Sequence, residues 1–405
     1  MHLTRRQLLV GGLAAAALTS LAPVRAARRF GANDDDRVLV VVQLTGGNDG
    51  LNTVVPFAQD AYYRLRPSLS LAPGAVHRLD DQTALHPELG PLAELFAEGQ
   101  LAVVQGVGYP DPDRSHFRSM QIWHTADPGT DYGGGVARPE AGWLGRLAAQ
   151  LAGDEGGMPA LHVGRGDLPL SLKTPRGFTP TVRDARGFRL AEPRTGFGAA
   201  RNRMLAARAA EAQGFTAERR ALHAAAASTY DAAARMEALL SDQGRADYPN
   251  HRLAEELALA AQLIAGGFGT RLFGLTLDGF DTHARQTQTH AALMRELGQS
   301  LAAFLRDLAD KGVSDRVVTL VFSEFGRRVE ENASKGTDHG AAGPVLVMGA
   351  PVAGGLRGGA PDLGELTAGD LAHSVDFRAL YASLEKDWLG LQPGTTVAPF
   401  DGLLA

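Results

Sequence analysis

The chain has 405 residues, no cysteine, 12 histidines and a formal net charge of -5. Without thiols there is neither a disulfide nor a thiolate nucleophile or ligand, and the mild negative charge supplies no basic patch for nucleic acid. Glycine is abundant at 49 residues, much of it beside Asp, Asn or His, which points to function carried by loops on a rigid scaffold.

Thr4-Arg5-Arg6-Gln7-Leu8-Leu9 leads into an uncharged small-apolar run from Val10 to Pro23. Paired arginines before a short apolar segment resemble the twin-arginine export signal, whose translocase carries proteins that have already folded. Val24-Arg25-Ala26 supplies small residues at the usual cleavage spacing. Residues 1–26 are therefore expected to be a signal peptide, and 27–405 an exported domain, periplasmic or extracellular. The apolar run is shorter than the roughly 20 residues a spanning helix needs.

Arg37 to Leu44 is a continuous β-branched run of strand length, ended by Thr45-Gly46-Gly47-Asn48-Asp49-Gly50, and reads as a buried parallel strand. Pro87 to Glu98 has helical spacing and stops at Gly99, and Leu101 to Gln105 is a second strand, completing a β–α–β unit. Met158 to Gly198, rich in Gly, Pro and Arg, is expected to be a surface cap with a short strand at Ala160 to Val163. With the Ala-rich helical stretch from Arg201 to Ile264 it forms an insertion at about 158–264. Arg271 to Leu277 is a strand, Ala284 to Lys311 a long amphipathic helix, and Arg316 to Phe322 and Pro344 to Met348 are strands. This alternation predicts an α/β fold, a mainly parallel sheet between two helical layers, with active residues in loops after the carboxyl ends of strands.

Four clusters sit at such positions: Asn48-Asp49-Gly50, Asp278-Gly-Phe-Asp281-Thr-His283, Ser323-Glu324-Phe-Gly-Arg327 and Thr337-Asp338-His339-Gly340. In a chain without cysteine, carboxylate plus imidazole is the ligand set for zinc, manganese or iron, whereas oxygen alone favours calcium or magnesium. In an extended segment the spacing of Asp281 and His283 points both side chains the same way. Each motif alone is also an ordinary turn. His290 reads as a helix-face residue and His86 as a turn residue. Arg327 has the planar fork to bind an anionic oxygen. Ser115, in Arg114-Ser-His-Phe117, opens a helix, where it is equally an N-cap or a group placed beside an anion.

Leu44-Thr-Gly-Gly-Asn-Asp-Gly-Leu-Asn-Thr53, Arg114-Ser-His-Phe117, Gly279-Phe-Asp-Thr-His283, Ser323-Glu-Phe-Gly-Arg327 and Thr337-Asp-His-Gly340, in this order, resemble the bacterial exported family called domain of unknown function 1501. That family is placed in the alkaline phosphatase and sulfatase superfamily. The resemblance implies an alkaline phosphatase-like α/β/α sandwich with divalent metal, zinc, manganese, calcium or magnesium, at the carboxyl edge of the sheet. By position, Asp49, Asp281, His283, Glu324, Asp338 and His339 look like the metal residues. Three departures stand out: Glu324-Phe325 replaces an Asp-His pair, Asp281-x-His283 is shorter than Asp-x-x-x-His, and Pro110 occupies the nucleophile position of the sulfatase motif.

The function so implied is hydrolysis of a phosphate or sulfate ester, small or polysaccharide. Ser115 or a water would attack, and Arg114 or Arg327 would clamp a non-bridging oxygen. The alternative is an exported binding or envelope protein that keeps the fold without catalysis. Partners would be the ester substrate and, during export, the twin-arginine translocase.

Overall fold

The computed structural model describes residues 36–127, 141–152, 158–175, 178–183, 216, 232–240 and 246–405. The expected signal peptide and the middle of the expected insertion lie outside the described residues.

The architecture follows from β1 (Val38–Thr45), whose side chains are buried on both faces. Val38, Val40, Val42 and Leu44 enter one core and Leu39 and Val41 the other, because successive strand residues point to opposite sides. A strand with two apolar faces must sit mid-sheet. It pairs in parallel with β5 (Leu272–Asp278) and β6 (Val317–Ser323), in the registers Leu39 with Leu272 and Leu39 with Val318.

The remaining strands of this sheet are β2 (Leu101–Gly108), β3 (Ala160–Val163), β4 (Thr181–Val182), β7 (Gly343–Met348), β8 (Gly355–Arg357) and β9 (Val375–Asp376). The nine-stranded sheet runs β8-β2-β7-β6-β1-β5-β3-β4, with β9 also on β2. Only β7 is antiparallel to its neighbours, so the sheet is mainly parallel. Within the stretch expected as an insertion, β3 and β4 extend this sheet.

Helices α1 (Gly90–Ala97), α4 (Arg252–Ala265) and α5 (Gln286–Asp310) bury apolar residues such as Leu92, Leu257 and Met294 against one face. Helices α2 (His116–Thr125), α3 (Trp143–Leu151) and α6 (Phe377–Ser383) cover the other with Trp123, Trp143 and Tyr381. The result is a three-layer α/β/α sandwich. Among the described residues, no helix is long and apolar enough to cross a membrane.

The second core also aims α2. Trp123 stacks on Phe322 at 4.9 Å and on Phe377 at 4.3 Å, and His124 Nε2 lies 2.7 Å from Gln43 Oε1 on β1. Aromatic packing of this kind fixes a helix by shape as well as by buried area. With its last turn held, α2 projects its first residue, His116, beyond the carboxyl ends of β1 and β6.

Candidate metal centre

Three loops and one helix start converge at that edge. Asp281 and His283 lie between β5 and α5. Glu324 directly follows β6, and Arg327, Asp338 and His339 lie in the irregular hairpin between β6 and β7, where Arg327 and His339 pair across the strands. The loop after β1 is pressed into the group by glycine. Gly46 has φ +116°, and a Cβ there would stand 2.4 Å from the backbone nitrogen of Asp281. Gly47, at φ +74°, leaves room for the Phe325 ring, whose edge a Cβ would meet at 2.2 Å. Phe325 in turn packs against the His116 and His339 rings, each at 4.8 Å between centroids.

The centre of the group is one oxygen. Asp281 Oδ1 is 2.9 Å from His283 Nε2, 3.2 Å from His339 Nε2 and 3.5 Å from His116 Nε2, while Arg327 donates to it at 2.7 Å. His283 Nε2 and His339 Nε2 are themselves 2.9 Å apart. The coordinating atoms of His116, Asp281 and His339 all lie within 4.8 Å of one another.

Each imidazole is held from behind. His116 Nδ1 donates to Glu324 Oε1 at 2.9 Å, His283 Nδ1 to Asp338 Oδ1 at 2.9 Å, and His339 Nδ1 to the Arg114 carbonyl at 2.7 Å. A carbonyl or an ionised carboxylate only accepts, so in a neutral ring the proton sits on Nδ1 and the lone pair on Nε2. Three Nε2 lone pairs then face one carboxylate oxygen. This arrangement repels itself unless a proton or a cation lies among them. His116 Nε2 is buried without a hydrogen-bond partner among the described residues, an expensive condition that a cation would relieve.

Three nitrogens and an oxygen, each ring anchored through its other nitrogen, match the donor chemistry of zinc, manganese or iron and the supporting pattern of metal-binding histidines. Oxygen-seeking calcium and magnesium fit such a set poorly.

The electrostatics are consistent. Partial burial pushes the Asp281 carboxyl up, but the bond and charge of Arg327, with His339 and His283, outweigh it and bring it down to about 2. The hydrogen bond to Glu324 raises His116 above its ordinary value, and the bond from His283 lowers Asp338. Glu324 is wholly buried. Its Oε1 also accepts from the Gly46 amide at 2.9 Å, so the β1 loop and α2 share one carboxylate.

Of the residues singled out in the sequence, Asp281, His283 and His339 meet around one point, and Glu324 and Asp338 stand behind histidines. Asp49 is placed differently. It is fully buried after β1, with both oxygens bonded to Arg66 Nη1 at 2.9 and 2.7 Å and Oδ2 also to Gln286 Nε2. Burial pushes its carboxyl up, but the charges of Arg66 and His290 and the bonds from Arg66 and Gln286 together outweigh it and hold it below its ordinary value. Arg327 is 2 % exposed and bonded inward. Arg114 pairs with the buried Asp370 while its side chain stays 39 % exposed, and Arg328 Nε lies 3.6 Å from the same carboxylate. Ser115 is the exposed N-cap of α2, and its hydroxyl makes no capping bond. His290 is buried with Nε2 3.1 Å from Asn48 Oδ1, and His86 is buried as an N-cap whose Nδ1 accepts from the Glu88 amide.

Sequence reasoning passed over His116, although it stands beside Ser115 in the quoted motif, because a helix start explains that segment by itself. It also passed over Arg66, for which no local signal exists.

The chain matches, over residues 36–404, a family described as a protein of unknown function (DUF1501). No curated protein matches the sequence. Among solved structures, the chain is similar to a protein in the alkaline phosphatase superfamily from Vibrio parahaemolyticus, at 11 % identity and TM-score 0.40, over 93 % of this chain and 78 % of that one. It is also similar to the lipoteichoic acid synthase LtaP from Listeria monocytogenes, at 10 % identity and TM-score 0.39, over 91 % and 75 %. A third similarity is to the C-terminal periplasmic domain of EcEptC from Escherichia coli in complex with Zn, at 10 % identity and TM-score 0.39, over 80 % and 75 %.

Proposed function

We propose that this chain, which belongs to the family described as protein of unknown function (DUF1501), is an exported hydrolase of phosphate or sulfate esters that depends on one divalent transition-metal ion. The observation that carries the reading is the convergence of His116, His283 and His339 Nε2 on Asp281 Oδ1, with every Nδ1 tied to an oxygen.

His116, Asp281, His283 and His339 would hold the ion. Glu324, Asp338 and the Arg114 carbonyl orient the rings, and Asp49 belongs to its pair with Arg66. Around the group, the carboxylates of Asp281, Glu324 and Asp338 against the guanidinium of Arg327 leave a surplus of two negative charges when the imidazoles are neutral. One divalent cation balances that surplus. When bound, the ion would neutralise ester oxygens and the charge developing on the leaving group.

The protein's own groups supply the rest. Arg114, half-exposed and kept upright by Asp370, is in reach of solvent to take a non-bridging oxygen by its fork. Ser115, with a free hydroxyl at the start of α2, or a water, is the attacking group. Export rests on Thr4-Arg5-Arg6 and the apolar run that follows. The test is metal analysis of the purified chain together with hydrolysis of a generic aryl phosphate and aryl sulfate. We expect one ion per chain, and turnover lost on chelation and in His283→Ala. Turnover that survives both would overturn the reading, and retention in the cytoplasm of the unaltered chain would overturn export.

A second reading, a binding or envelope protein with a structural ion, is favoured by one observation: among the described residues no base is bonded to the Ser115 hydroxyl. Under that reading chelation lowers thermal stability with no turnover to lose.

A further inference from the structure

The Arg327 side chain is fully enclosed, and its donors reach three separate loops. Nε donates to the Gly47 carbonyl at 2.6 Å and Nη1 to the Thr337 carbonyl at 2.7 Å. Nη2 donates to the Gly46 carbonyl, to the Phe280 carbonyl at 3.0 Å and to Asp281 Oδ1 at 2.7 Å. Gly46 and Gly47 follow β1, Phe280 and Asp281 follow β5, and Thr337 precedes Asp338 and His339 on the returning arm of the β6–β7 hairpin.

We infer that Arg327 is a positioning residue: its fork sets the Asp281 carboxylate among the three imidazoles and ties the loops after β1, β5 and β6 into one body. The inference rests on the ion-binding reading for its effect on affinity, and on geometry alone for its effect on the loops. Buried loop carbonyls need donors, since an unpaired one carries its full desolvation cost. A guanidinium offers five N–H groups in a fixed plane, enough for four carbonyls and a carboxylate through shared bonds. A lysine ammonium offers three, from a single point, and cannot span the same acceptors.

The choice of acceptors also explains how an acid can sit against three ring nitrogens. The enclosed guanidinium of Arg327 gives the Asp281 carboxylate a counter-charge on the side away from solvent. The oxygen that takes the Arg327 bond, Oδ1, is also the one that faces the imidazoles. The sequence motif Ser323-Glu-Phe-Gly-Arg327 then has a division of labour: Glu324 holds His116, Gly326 lets the hairpin close against Ala342, and Arg327 holds the acid.

The experiment compares Arg327→Lys, Arg327→Ala and His339→Ala with the unaltered chain. Zn2+ and Mn2+ alone are the probes for affinity, and hydrogen exchange on metal-free protein is the probe for the loops. Arg327→Lys is expected to bind the ion about 10–100-fold more weakly, as for other partners of metal ligands. In Arg327→Ala, millimolar guanidinium should restore part of that loss, which it will not do in His339→Ala. In metal-free Arg327→Lys, exchange at the amides of Gly46, Asp281 and His339 should rise together while the strand amides of β1 and β5 stay protected. Unchanged affinity and unchanged loop exchange in a folded Arg327→Lys would overturn the inference, and so would exchange that rises through the strands as well. If the unaltered chain binds neither ion, the ion-binding reading fails, and the exchange pattern still decides the role of Arg327.

Discussion

Two acids at the same sheet edge have opposite surroundings. Asp49 is closed: it is fully buried, its two oxygens are taken by Arg66, and Gln286 completes the set. Asp281 is open: its side chain is 50 % exposed, Arg327 neutralises it from below, and three imidazole nitrogens surround its Oδ1. Both have an internal guanidinium, so what separates a structural pair from a candidate ion site is the presence of donors that are themselves anchored and left facing inward. A third acid, Glu256 on α4, marks the other extreme. It is 4 % exposed, neither oxygen has a hydrogen-bond partner among the described residues, and Arg252 Nη1 stands 3.9 Å away.

The contrast is most strongly tested by Arg66→Met. Leaving Asp49 buried without its partner should cost about 3–5 kcal/mol in denaturant unfolding, with the number of ions bound per folded chain unchanged. A fall in ion number would mean that the closed acid is not separate from the open one. Next in size, His339→Ala should weaken Zn2+ binding by about 100-fold or more, and should remove most of the stabilisation of about 2.7 kcal/mol that ion at 100 times its Kd gives the unaltered chain. The metal-free variant should unfold within about 1 kcal/mol of the parent, because His339 is at the surface of the site.

Glu256 extends the comparison to pH. Burial, its largest influence, raises the carboxyl to about 7 against the lowering effect of Arg252 and Arg165. A raised folded value means that stability is fully present below the unfolded value of about 4.3 and is lost as pH rises through about 7. Glu256→Gln should therefore gain on the parent by about 1–2 kcal/mol at pH 8 relative to pH 4, measured by paired denaturation curves. An equal difference at both pH values would show that Glu256 is paired after all.

The smallest effect is at the acid end. Burial lowers His124 to about 4 and His86 to about 3. These neutral rings contribute stability that is present above the unfolded value of about 6.5 and is lost as pH falls toward those folded values. His124→Gln should flatten that limb by about 1 kcal/mol, and an unaltered slope would exclude His124 from it.

Much of the fold was legible in the sequence, because an apolar run of strand length bounded by glycine has few alternatives. The run Arg37 to Leu44 became Val38–Thr45, and the helix from Ala284 to Lys311 became Gln286–Asp310. The antiparallel entry of β7 was not legible, since strand direction depends on the connection and not on the pattern. The positions of loops after strands drew attention to Asp281, His283 and His339, which lie together in the structure. Local sequence could not foresee that Arg66 would reach Asp49, because long-range ion pairs leave no periodic trace. His116 was hidden for another reason, its position being fully accounted for as the first turn of a helix.

The central position of β1 has a consequence for how the chain comes to be folded. Its hydrogen-bonded neighbours are residues 272–278 and 317–323, so the middle of the sheet joins the start of the described chain to its last third. During synthesis β1 must wait for more than half of the polypeptide, and closing so large a loop precedes any gain from the pairing. Until then its two apolar faces are open to aggregation. The imidazole cluster, assembled from residues 116, 281–283 and 339, appears only at the end of that sequence. An ion bound there, as proposed, would act as a latch on finished molecules, distinguishing them from chains still short of completion.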